Sequence, residues 1–109
     1  MLDKGYQYST DEKIVIIDST KVWWAQAEAW HACALFADLY PQDSTYKSAF
    51  KNMWKYITSE VIDPTNGGWY SSGLDMTPGA IKDRKAHAWK CCYHDGRALM
   101  QVLEYAQKK

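Results

Sequence analysis

The chain has 109 residues, and its 13 basic and 13 acidic side chains leave a formal net charge of zero. That length suits one domain with a modest core, and the balanced charge excludes the basic footprint of a nucleic-acid binder. Six Trp, eight Tyr and two Phe exceed what a small core needs, which fits either Trp-packed helices or an aromatic-lined pocket of the kind that takes carbohydrate.

Residues 1–20 read as a strand-like hairpin. Tyr6, Gln7 and Tyr8 alternate, Ile14 to Ile17 form a β-branched run, and Ser9 to Lys13 supply polar turn material. Ser19 or Thr20 is placed to cap the helix that follows. Residues 21–40 carry apolar side chains on every side with no Gly or Pro before Pro41, the pattern of a helix buried all round. Trp24 and Glu28 are four apart and share a face, with His31 close to it. A buried carboxylate needs partners, so Glu28 is either satisfied within a core or lines a wet pocket.

Residues 42–61 form an amphipathic helix, started by Pro41 and by Asp43 or Ser44. Tyr46, Ala49, Phe50, Met53, Trp54, Ile57 and Val61 make its apolar stripe, and Lys47, Lys51 and Lys55 its solvated side. Residues 62–82 are loop. Asp63-Pro64, Asn66-Gly67-Gly68, Gly73 and Pro78-Gly79 are turn signals around a short strand at Trp69-Tyr70, and irregular stretches of that length are often functional. The last helix is expected at about 93–107, with Ala98, Leu99, Val102, Leu103 and Ala106 on its apolar side.

Two stretches echo one another: Ile16 falls on Ile81, Asp18 on Asp83 and Trp24 on Trp89, and after a short slip Tyr8-Ser9 falls on Tyr70-Ser71. An internal repeat of this kind predicts two Trp-led helix starts facing one cavity. The resulting order is inner helix, outer helix, long loop, inner helix. One amphipathic helix cannot cover two apolar ones, so a slice of a larger α/α assembly is expected.

Three cysteines, two of them adjacent, make no disulfide framework, and a reducing, cytoplasmic setting is expected. No apolar run follows Met1, so no signal peptide is expected, and no stretch reaches membrane-spanning length without charge. Cys91, Cys92 and His94 do not have zinc-site spacing; no metal and no cofactor are expected.

Three motifs stand in order: W-W-A-Q-A-E-A at Trp23–Ala29, D-P-T-N-G-G-W-Y at Asp63–Tyr70, and W-K-C-C-Y-H-D-G-R-A at Trp89–Ala98. Together they resemble the C-terminal region of the N-acylglucosamine 2-epimerase superfamily, and the Y-H-D-G-R wording is closer to its cellobiose 2-epimerase branch. The resemblance covers nearly all of this chain but about the last quarter of a usual member. It implies an all-α fold in which residues 1–109 are one partial domain: a slice of a six-hairpin α/α barrel, with short β-hairpin loops and inner helices around a sugar pocket. It implies inversion or isomerisation at C2 of a reducing-end sugar through an enediol(ate). A base titrating near neutrality suits that proton transfer. By resemblance His94 is one such base, with its partner histidine in the preceding part of the family. Trp24 and Glu28 match residues that flank and hold the sugar, Glu28 counting with His94 as catalytic and Trp24 as substrate-binding, and Trp89 matches another substrate-binding pocket aromatic. His31 and His87 match no catalytic position. Cys91-Cys92 stands where other members often have Cys-Pro or Gly-Pro, which leaves the substrate open.

Two rival readings stand beside this one. An α/α-barrel glycoside hydrolase needs two carboxylates across the scissile bond, for which Glu28 and Asp95 are the candidates. A truncated remnant would fold without catalysing anything. The sugar is the expected small-molecule partner, with no nucleic acid and no membrane. Self-association through exposed apolar helix faces is also expected.

Overall fold

A computed structural model describes residues 6–8 and 14–108. Two short strands, β1 (Tyr6–Tyr8) and β2 (Ile14–Ile16), pair antiparallel with Gln7 opposite Val15. The turn expected at Ser9 to Lys13 lies outside the described residues. Three helices follow: α1 (Trp23–Leu39), α2 (Ser44–Tyr56) and α3 (Tyr93–Gln107). A single π-helical turn, Ile57–Val61, extends α2, and a 3-10 turn, Pro78–Lys82, interrupts the long loop.

Helix α1 is the middle element, with α2 packed on one side and α3 on the other. Trp23, Ala27 and Trp30 from α1 meet Ile57 and Val61 from the π turn, Trp69 from the loop and Ala98 from α3. The Trp30 ring stacks on Trp54 at 4.7 Å and on Phe50 at 5.3 Å, so the apolar stripe of α2 meets α1 through aromatic faces.

Helix α1 is not buried all round. Trp24, Phe36 and Leu39 are exposed, because only α2 and α3 pack against it and two neighbours cannot cover an entire helix surface. Nor does Ser19 or Thr20 cap α1. The N-cap is Val22, which has no side-chain oxygen to offer. The amide of Trp23 donates instead to the Ser71 carbonyl at 3.1 Å, and the Gly73 amide donates to Lys21 at 3.0 Å, so a segment of the long loop does what a serine was expected to do. For α2 the cap is Asp43, whose side chain accepts from the Thr45 amide at 3.0 Å.

The loop after α2 is held from within. Ile62 bridges Trp69, and the Tyr70 amide donates to Val61 at 2.7 Å. The turn between them needs positive φ at Gly67 (79°) and Gly68 (77°), which glycine adopts without a Cβ penalty. Buried Asp63 organises the turn: Oδ1 accepts from the amides of Thr65 (2.9 Å) and Asn66 (3.0 Å), and Oδ2 receives the Lys85 ammonium. Those donors, led by Lys85, hold its carboxyl far below the usual carboxylate range.

Candidate active site

Glu28 sits in the second turn of α1, on the side facing α3, and His94 and Arg97 sit in the first turns of α3. His94 Nδ1 lies 2.8 Å from Glu28 Oε1, and an Arg97 Nη2 bonds the same oxygen. Burial alone would raise the Glu28 pKa, but the bonds from His94 and Arg97 and the Arg97 charge outweigh it and hold the carboxyl below its ordinary value. An ionised carboxylate only accepts hydrogen bonds. His94 therefore donates its Nδ1 proton to Glu28, which leaves Nε2 as the nitrogen free for chemistry.

Aromatic rings border this pair. The Trp24 ring lies 6.2 Å from the His94 ring, one helical turn before Glu28, and the Tyr93 ring meets His94 edge-on at 4.9 Å. Arg97 Nη1 donates to the Tyr93 hydroxyl at 2.9 Å, and the guanidinium lies over the Tyr93 ring at 4.7 Å.

Of the residues the sequence singled out, Trp24, Glu28 and His94 come together. Trp89 stands apart: its indole is 86% exposed, in the irregular segment before α3. Below it the chain is pinned by Lys90, which is 2% exposed; its ammonium donates to the Lys85 carbonyl at 2.8 Å and lies over the Trp23 ring. Burial pushes the Lys90 ammonium below its usual pKa. His31 faces the Tyr105 hydroxyl at 3.3 Å, and His87 packs edge-on against Trp23; neither joins the Glu28 cluster. Among the described residues no group of three or more His, Cys, Asp or Glu side chains could hold a metal ion.

From the sequence, Arg97 is placed to orient a neighbouring carboxylate or the substrate, with a structural role favoured; the carboxylate it meets is Glu28, which the sequence did not name. Sequence reasoning missed the burial of Lys90 altogether, since a lysine between Trp89 and Cys91 gives no sign of direction. A groove of about 370 Å³ runs between α2 and α3 over the later turns of α1, past Ala34, Phe50, Val102 and Ala106. It holds none of the predicted site residues.

The N-acylglucosamine 2-epimerase family model matches residues 2–98. The chain belongs to this family. Within it, the chain is 40% identical over 91 residues to a cellobiose 2-epimerase of Ruminococcus albus, covering 80% of this chain and 22% of the relative. It is 33% identical over 101 residues to a D-mannose isomerase of Marinomonas mediterranea, covering 91% of this chain and 24% of that one. Among solved structures, a D-mannose isomerase matches with a TM-score of 0.75 at 31% identity, over 92% of this chain and 25% of the other. A sugar epimerase from a ruminal bacterium matches with a TM-score of 0.67 at 34% identity, over 94% and 26%. The chain thus spans about a quarter of the length of the epimerase-family relatives it matches. Among the described residues, no helix is long and apolar enough to cross a membrane.

Proposed function

We propose that this chain is the segment of an α/α-barrel sugar 2-epimerase or isomerase that carries one of the two bases acting at C2 of a reducing-end aldose. The observation that carries the reading is the Glu28–His94 bond: it joins two motifs far apart in the sequence and leaves His94 Nε2 free. In the open-chain sugar the C2 proton is acidified by the neighbouring aldehyde. A base on one face removes it, the electron pair moves into an enediol(ate), and a proton returned to the other face inverts C2. If proton return is to C1 instead, the product is the ketose. The imidazole of His94 serves on one face, and a histidine elsewhere in the longer protein serves on the other. Glu28 fixes the imidazole and stabilises its protonated form. Trp24, and Trp89 once the site is complete, offer indole faces to the C–H face of the sugar.

Alone, the 109 residues are expected not to turn over. Two-base inversion needs a second positioned base, and orientation of the open-chain sugar needs walls on all sides. The same incompleteness leaves Phe36, Leu39, Met100 and Leu103 exposed, so the isolated chain is expected to self-associate, in a cytoplasmic setting. Sedimentation of the purified chain tests this; a clean monomer that epimerises cellobiose or mannose would overturn the reading of a barrel slice. The decisive experiment uses a full-length protein carrying this segment. His94→Asn should abolish solvent deuterium exchange at C2 while the circular dichroism spectrum stays as in the parent. Parental exchange in that variant would remove His94 as a base.

A further inference from the structure

We propose that Arg97 is a positioning residue: it holds the Glu28 carboxylate in the pose that receives the His94 Nδ1 proton, and so decides which imidazole nitrogen faces the substrate. This inference rests on the reading of His94 as a base. Its physical content is the sharing of a single acceptor. Glu28 Oε1 takes both the imidazole N–H and the guanidinium N–H. Glu28 is partly exposed and stands alone on α1, while its two partners stand on α3. A free glutamate at such a place has many rotamers to lose, and one bond from a neutral imidazole is a weak restraint against that loss. The charge-assisted bond from Arg97 is the stronger of the two, and it acts whatever the protonation state of His94.

Arg97 is itself fixed. The Tyr93 hydroxyl, one turn earlier on α3, accepts from Nη1, and the Tyr93 ring lies beneath the guanidinium. Nη1 is committed to Tyr93 and Nη2 to Glu28, so the restraint runs from Tyr93 through Arg97 and Glu28 to His94. Free histidine favours the other tautomer, with the proton on Nε2. An unrestrained Glu28 would leave His94 that option, with no bare nitrogen aimed at substrate.

The test reads the tautomer directly. The 109-residue chain is labelled with nitrogen-15, and its histidine ring nitrogens are correlated with ring protons by NMR above the ordinary titration range of histidine. In the wild type, His94 is expected to show a protonated Nδ1 and a bare Nε2. Arg97→Met should bring up the Nε2–H form, and Arg97→Lys, which keeps a cation beside Glu28, should restore most of the wild-type pattern. Tyr93→Phe keeps every Glu28 contact but loosens Arg97, so it should shift the same signals the same way by less. A dispersed amide spectrum for Arg97→Met with the wild-type tautomer overturns the proposal, as does a wild-type His94 that already carries its proton on Nε2. If Arg97→Met unfolds, Tyr93→Phe decides, and an unchanged imidazole there overturns it. The deuterium-exchange experiment on His94→Asn fails or succeeds independently, so a wrong base and a wrong clamp are told apart.

Discussion

On one side of α1, Trp30 lies against Phe50 and Trp54 and is 3% exposed. On the other side, Glu28 meets His94 and Arg97 across a partly exposed seam. Two positions on one helix therefore do unlike work. The α2 side is a broad, non-directional contact whose worth scales with the area removed from water. At the first turns of α3 the contact is directional, Glu28 Oε1 taking both His94 and Arg97, beside the apolar packing of Ala98. The comparison teaches how a short chain divides its labour: the dry side supplies stability, and the wet side can keep ionisable groups where water and a ligand reach them.

The largest expected effect comes from breaking the dry side. Trp30→Ala removes the shared ring of the stack and should cost roughly 3–5 kcal/mol. A chain this small has little stability beyond that, so urea titration should show no cooperative transition. Trp24→Ala makes the contrasting change. Its indole is 38% exposed, so the urea midpoint should move little, whereas sugar affinity in a full-length protein carrying the segment should fall. Equal losses of stability in the two variants would erase the distinction between the sides.

The acid response sharpens the comparison at an intermediate scale. The Glu28 carboxyl titrates lower folded than unfolded, so its stabilising contribution is complete above the ordinary carboxylate range, near pH 4.3, and is lost as pH falls through the lowered folded value. Glu28→Gln should therefore reduce the drop in melting temperature on going from about pH 5 to about pH 3. Asp63 and Asp75, also held low by their partners, should keep part of that drop. An unchanged acid limb would mean that the Glu28 cluster contributes nothing to folding. The smallest effect is expected on the solvated side of α2. Lys55 is exposed there, and Lys55→Ala should stay within about 0.5 kcal/mol of the parent in the same titration.

The three helices were legible, α1 as an apolar run unbroken by Gly or Pro before Pro41 and α2 and α3 through a 3.6-residue apolar rhythm. The shared side of Trp24 and Glu28 was legible once α1 was, since four residues make roughly one turn. The meeting of Glu28 with His94 was not. Nothing local to either residue encodes it, and it came within reach only through the likeness of the two motifs to a known family. A carboxylate partner for Arg97 could be anticipated, but that the partner is Glu28 was hidden in the same way. The Asp63 turn stood between these extremes: an Asp followed by Asn-Gly-Gly announces a turn, but the Lys85 that closes it is distant in sequence and surrounded by other charged residues. The cap of α1 misled for a plain reason. Ser19 and Thr20 had the right chemistry, and the Ser71 backbone had the right place.

That borrowed cap also bears on the order in which the protein assembles. A serine cap would satisfy the first amides of α1 as soon as those residues leave the ribosome. Here the Trp23 amide waits for a carbonyl at residue 71, beyond all of α2 and the Asp63 turn. The first turn of α1 closes locally, Gln26 donating to Val22, but the Trp23 amide gains its partner only after that loop has docked, and such distant closures come late in folding. The amide proton of Trp23 is then a clock for loop docking: in refolding followed by hydrogen exchange, it should gain protection together with Tyr70 and Gly73, and after the middle of α1.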